Sequence, residues 1–220
     1  MTRILLLLAL LTLETLAQNP ATPRAIIVFG DSITEGGALP KEQRDKLWVK
    51  VVETESKGAL ILINEGKGGR PTASVKEFEA MLRRHPKPDA LIIALGMNDS
   101  RDITPSSVPK AVANLRAMIE KARQTHGAKF PVLLLGPTNI NKSALGPTKP
   151  IGDQREGKLR ELGVAFAELA TATHCEFFRL FGVVPDAGLL KDGVHPDAAG
   201  NAAIAQALGP KLQDWMFGGR

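Results

Sequence analysis

Two hundred and twenty residues, 44% hydrophobic and 23% charged, make a chain of globular composition, long enough for one domain with a full-sized core and without repeats or low-complexity tracts. A single cysteine, Cys175, excludes an internal disulfide; beside Phe177 and Phe178 it reads as a small buried apolar residue rather than a reactive thiol. The net charge of +5 comes from lysines and arginines scattered among glutamates, and there is no tyrosine and few other aromatics. Stacking platforms for single-stranded nucleic acid are therefore scarce, no nucleic-acid partner is expected, and the charge suits solubility and a mild attraction to anionic surfaces.

At the N-terminus, Met1-Thr2-Arg3 is short and basic, the stretch 4–13 is almost unbroken leucine and alanine, and Thr15 and Ala17 are small. This pattern is that of a secretory leader cut between Ala17 and Gln18, leaving residues 18–220 as a single domain that is exported to the periplasm or the extracellular space. The apolar run falls well short of the roughly twenty residues that span a bilayer, and no cysteine follows it to carry a lipid, so no stable membrane insertion is expected after cleavage.

Beyond the leader, short continuous apolar runs predict strands over 25–29, 59–63, 90–95, 131–135 and 176–180. The first four do not alternate, as expected of parallel strands covered on both faces. Between them lie helical stripes: Val75, Phe78, Met81 and Leu82; Val108, Val112, Leu115 and Ile119; and near the end Ile204, Leu208, Leu212 and Trp215. Ser74-Val75-Lys76-Glu77 and Asp153-Gln154-Arg155-Glu156 read as capping boxes that open helices. Strand and helix in alternation imply an α/β fold, a parallel sheet with helices on both sides, whose ligands sit beyond the carboxyl ends of the strands. The segments after strands one to four then gather on one rim. The connection 136–151, rich in Gly, Pro, Asn and Lys, is either a border or lid of the site or a surface excursion.

The first strand runs straight into Gly30-Asp31-Ser32-Ile33-Thr34, which puts a serine at a strand exit. Serine is a poor nucleophile until a base takes its proton. His85, His126 and His174 stand at helix ends or before a strand and read as surface or packing residues. His195 differs, because Asp192 precedes it by three residues in a glycine-containing turn. The carboxylate can reach back to Nδ1, fix the tautomer and leave Nε2 free for Ser32. An acyl-transfer site also needs donors aimed at an oxyanion. The Gly68-Gly69 pair can bring a backbone N–H close, Asn98 offers a side-chain amide, and the N–H of Ser32 is the third donor. Each has a plainer alternative, a tight turn for the glycines and a helix cap for Asn98 and Asp99.

Taken in order, Gly30-Asp31-Ser32-Ile33-Thr34, Asn64-Glu65-Gly66-Lys67-Gly68-Gly69, Gly96-Met97-Asn98-Asp99 and Asp192-Gly193-Val194-His195-Pro196 resemble the four blocks of the SGNH, or GDSL-type, hydrolases, and are similar to those of bacterial arylesterase or acylhydrolase members. The resemblance implies a flavodoxin-like three-layer α/β/α sandwich with a five-stranded parallel sheet. It also implies Ser32 as nucleophile, His195 as base, Asp192 as its orienting acid, and Ser32, Gly69 and Asn98 as oxyanion-hole donors. The second block departs from the pattern, with Gly68-Gly69-Arg70-Pro71 where many members have a glycine followed by Asp or Asn. Asp31 and Arg70 are candidate substrate-binding residues; Arg70 either meets an anionic substrate or pairs with a nearby carboxylate.

The expected chemistry is ester hydrolysis through an acyl-serine, without metal or cofactor. A compact chain with no large insertion favours short acyl groups such as acetyl, carried on a small molecule or a polysaccharide. Lysophospholipase, thioesterase and acyltransferase activities belong to the same family. A non-catalytic flavodoxin-like phosphate binder using Gly66 to Arg70 is the remote alternative, but G-x-x-x-x-G-K-[ST] is absent and Pro71 breaks G-x-G-x-x-G. The G-x-S-x-G elbow fails as well, since Thr34 fills its last position.

Overall fold

The computed structural model describes residues 22–146 and 152–218. The leader read at 1–17 and the stretch 147–151 of the long connection lie outside the described residues. Five strands, β1 (Arg24–Gly30), β2 (Leu60–Gly66), β3 (Ala90–Ala94), β4 (Val132–Leu135) and β5 (Glu176–Phe178), form one sheet in the order β2-β1-β3-β4-β5. All four pairings are parallel. Among the described residues, six α-helices are interspersed: α1 (Ser32–Glu35), α2 (Trp48–Glu55), α3 (Val75–Arg84), α4 (Ser107–His126), α5 (Gly152–Ala172) and α6 (Ala198–Phe217).

Alternation along the central strands divides the core into two halves. Ile26 and Val28 of β1 face Trp48, Val49 and Val52 of α2 and Ile204, Leu208 and Leu212 of α6. Ile27 and Phe29 point the other way, to Phe78 and Met81 of α3, Leu115 and Ile119 of α4 and Leu162 and Phe166 of α5. The result is the three-layer sandwich, and β1, with a neighbour on each side, is buried from Ile26 to Gly30.

Three expectations are corrected. The strand over 59–63 is an edge strand, so it is not covered on both faces: Ile61 stays 45% exposed while Leu60 and Leu62 are buried. The two capping boxes do not form, because each glutamate is claimed by cations. Ser74 makes no side-chain cap, and Glu77 binds Lys67 at 2.8 Å and Arg70 at 3.3 Å. Asp153 and Glu156 both pair with Lys142, and α5 starts one residue before Asp153. The helix α2 was not foreseen; its buried Trp48, Val49 and Val52 do stand on one helical face, but the stripe lasts only two turns.

Candidate active site

The exit of β1 is shaped by a cap. Asp31 Oδ1 accepts the N–H of Ile33 at 3.0 Å, and Gly36 closes the far end of α1 through its N–H to Ser32 O at 3.0 Å. This single helical turn holds Ser32 at its first position, directly above the sheet edge. The loop after β2 is stapled against it. Asn64 Nδ2 donates to Thr34 O at 2.7 Å, and Lys67 N–H donates to Gly30 O at 3.1 Å. Gly66 is obligatory for that approach, since a Cβ there would come within 2.2 Å of the backbone nitrogen of Glu35. Gly69 is a glycine for a different reason: its φ is +73°, and the space where a Cβ would project is open.

His195 arrives from the far end of the sequence. Its Nε2 lies 2.9 Å from Ser32 Oγ and its Nδ1 2.5 Å from Asp192 Oδ2. Asp192 Oδ1 accepts the backbone N–H groups of Val194 at 2.9 Å and His195 at 3.0 Å, which fixes the carboxylate under the ring. Partial burial pushes the Asp192 pKa up, but these hydrogen bonds and the imidazole outweigh it and hold the carboxyl down at about 2. An ionised carboxylate only accepts, so Nδ1 carries the proton and Nε2 is left to accept from the Ser32 hydroxyl. The turn itself is anchored by Asn201 in α6, whose Nδ2 donates to Pro196 O at 3.1 Å and Asp197 O at 2.9 Å. Asn201 Oδ1 accepts the N–H of Trp48 at 3.1 Å, satisfying the otherwise uncapped start of α2. Sequence reasoning missed Asn201, and no local signal exists for a bond spanning 153 positions.

The donors after β2 and β3 are joined to one another. Asn98 Nδ2 donates to Arg70 O at 3.2 Å, which sets the amide against the residue following Gly69. Its neighbour Asp99 accepts from Thr72 twice, from N–H at 3.0 Å and from Oγ1 at 2.5 Å, tying the two loops together. Asp99 is therefore a brace rather than a helix cap, a role its sequence position did not disclose.

Arg70 and Asp31, the candidate substrate-binding residues, are both buried. The Arg70 guanidinium is buried over the Phe29 ring, with its Cζ 4.0 Å from the centroid, and donates to Gly30 O at 2.7 Å, to Glu65 O and to Glu77. The alternative pairing with a carboxylate is the one realised, and the same guanidinium joins the carbonyls at the ends of β1 and β2. Asp31 is 2% exposed. Burial drives its pKa up to about 7, with the Asp99 charge adding to the rise and the Ile33 N–H and Arg70 opposing it. The remaining histidines stand apart from Ser32: His85 bonds Glu65 at 2.7 Å, and His126 packs on Phe130 with its pKa lowered by burial.

Beside Ser32 and His195, residues including Ile33, Gly36, Ala38 and Leu39 line a cavity of about 10 Å³. An adjoining cavity of about 20 Å³ shares Ile33 and is lined by Asp31, Thr34 and Met97, whereas two larger clefts, about 260 and 390 Å³, flank β5 and include none of the residues beside Ser32. Among the described residues no cluster of three or more His, Cys, Asp or Glu is arranged to hold a metal ion, and no helix is long and apolar enough to cross a membrane.

An alcohol, an imidazole and a carboxylate thus stand in hydrogen-bonded sequence at the carboxyl end of a parallel sheet, and comparison with known proteins gives the family. The model of the GDSL-like lipase/acylhydrolase family matches residues 28–203, and the chain belongs to that family. It is accordingly an ester hydrolase. A GDSL lipase of Mycobacterium tuberculosis is 24% identical over 220 residues, covering 91% of each chain. Among solved structures, a carbohydrate acetylesterase family member from Sinorhizobium meliloti is similar at a TM-score of 0.74 and 20% identity, covering 89% of this chain and 99% of that one. The aryl esterase of M. smegmatis is similar at a TM-score of 0.71 and 22% identity, covering 87% and 99%. These likenesses carry the fold.

Proposed function

We propose that the chain is a serine esterase that cleaves short-acyl carboxylic esters, acetyl esters foremost, through an acyl-serine intermediate. The observation that carries this reading is the unbroken line from Ser32 Oγ through His195 to Asp192, at 2.9 Å and 2.5 Å. His195 Nε2 takes the Ser32 proton as Oγ adds to the ester carbonyl, and Asp192 stabilises the imidazolium that forms. The carbonyl oxygen becomes an oxyanion facing the N–H of Ser32, the N–H of Gly69 and the Asn98 amide. His195 then returns its proton to the departing alkoxide. Water, deprotonated by the same nitrogen, attacks the acyl-serine and releases the acid.

Short acyl groups are favoured by the small cavities beside Ser32, about 10 Å³ along Ser32 and His195 and about 20 Å³ on the other side of Ile33. The likeness to a protein described as a carbohydrate acetylesterase family member supports acetylated polysaccharide as one substrate class. The leader pattern of the first seventeen residues supports export, where such polymers are met.

A fluorophosphonate probe followed by peptide mapping tests the nucleophile, and a 4-nitrophenyl ester series from acetate to decanoate tests the acyl preference. Labelling at Ser32, abolished in Ser32→Ala, together with kcat/KM falling steadily beyond butyrate, is the expected result. An unlabelled Ser32 in folded protein refutes the mechanism, and a maximum at octanoate or longer refutes the acetyl preference.

A further inference from the structure

Arg155 is charged, lies in the second turn-region of α5, and has only 1% of its surface exposed. Among the described residues it has no ion-pair partner. Burial, aided by the charge of Arg101, draws its pKa below the ordinary arginine value, and Asp192 opposes that fall. A buried cation without a paired anion is a net expense to the fold, and an apolar side chain of similar volume generally serves stability better. Something other than packing therefore accounts for the guanidinium.

Its hydrogen bonds identify that role. Nε donates to Ser100 Oγ at 3.1 Å and Nη2 to Met97 O at 3.3 Å. The Ser100 hydroxyl donates onward to the same Met97 carbonyl at 2.7 Å, and Ser100 N–H donates to Gly96 O at 3.1 Å. Arg155 thus grips both ends of the turn that carries Asn98, while Thr72 and Arg70 hold the turn from the other side through Asp99 and the Asn98 amide. A donor that stabilises an oxyanion must be fixed before the charge develops, and a displacement of an ångström forfeits most of its effect.

We propose that Arg155 is a positioning residue for the oxyanion site: from α5 it clamps the Met97 carbonyl and the Ser100 hydroxyl so that the Asn98 amide is preset toward the developing negative charge. This role rests on the esterase reading above. It acts through Asn98, so its signature is a loss of turnover that depends on Asn98 being present.

The test uses the full chain, with folding followed by circular dichroism and active sites counted with the fluorophosphonate. On 4-nitrophenyl acetate, Arg155→Met lowers kcat per active site by about ten- to a hundredfold with KM changed by less than about threefold. Arg155→Lys, which keeps one donor and the charge, recovers part of the loss. In an Asn98→Ala background the same Arg155→Met change lowers kcat by less than about threefold, because the group it positions is gone. Unchanged kcat per site, or an equal loss in both backgrounds, assigns Arg155 to packing alone and overturns the proposal. Should Arg155→Met fail to fold, Ser100→Ala removes the hydroxyl relay and carries the same cycle. A loss of several-fold that vanishes without Asn98 supports the role, and no loss overturns it. A folded wild-type chain that neither labels at Ser32 nor turns over the acetate ester sinks the esterase reading itself, a failure distinct from an Arg155 variant that matches an active wild type.

Discussion

Asp31→Asn isolates the consequence of burying a carboxyl beside Ser32. In the folded chain burial raises the Asp31 pKa to about 7, against 3.8 for the unperturbed group. Between those values the folded protein holds a proton that the unfolded chain has released, so stability falls as pH rises from about 4 to about 7 and is level above it. Three pKa units at about 1.4 kcal/mol each set an upper bound of about 4 kcal/mol for that loss. Asparagine is nearly isosteric, its carbonyl still accepts the Ile33 N–H, and it caps helices as well as aspartate, so the substitution removes the titration and little else. The variant should match wild type near pH 4.5 and exceed it at pH 8 by several degrees, on the order of 10 °C if the full bound is realised. Melting followed by circular dichroism from pH 4.5 to 8.5 measures the difference directly. A gap that does not change with pH, or a variant less stable than wild type at pH 8, refutes the reasoning.

Two further outcomes probe the loops around Ser32. Asn98→Ala should lower kcat on 4-nitrophenyl acetate by about 10²- to 10³-fold with little change in KM, the loss expected for one oxyanion donor. Unaltered turnover would remove Asn98 from the mechanism. Gly66→Ala places a Cβ 2.2 Å from the Glu35 backbone nitrogen, whereas Gly69→Ala meets open space and bears only the strain of φ +73°. Thermal melts should therefore show Gly66→Ala the more damaged, by more than about 2 kcal/mol, against about 1 kcal/mol for Gly69→Ala. The reverse order would mean that the loop does not pack on α1 as described.

The legible parts of this chain are those whose physics is local. Continuous apolar runs marked β1, β3 and β4 because a strand buried on both faces has no polar side to interrupt it. The turn of Asp192 and His195 was readable because a three-residue spacing suffices to bring carboxylate and ring together. Ser32 was placed by the strand it follows, whereas its meeting with His195, which lies between β5 and α6, is a product of the tertiary fold.

Competition among polar groups decided the rest, and no spacing rule ranks partners far apart in sequence. Glu77 and Glu156 stand where capping boxes would use them, yet Lys67, Arg70, Lys142 and Arg160 hold them instead. Arg70, in a loop facing the rim, turns inward to Glu77 and to the carbonyls at the ends of β1 and β2. Sequence alone thus singled out Ser32, His195 and Asp192, the side chains that stand in hydrogen-bonded sequence, since alcohol, imidazole and carboxylate announce themselves by type and neighbourhood. Tertiary structure alone decided which side chains hold them in place. Asn201, Asp99 and Arg155 act through hydrogen bonds to distant backbone and loops, and those partners come within reach only once the sheet has brought its strand ends together.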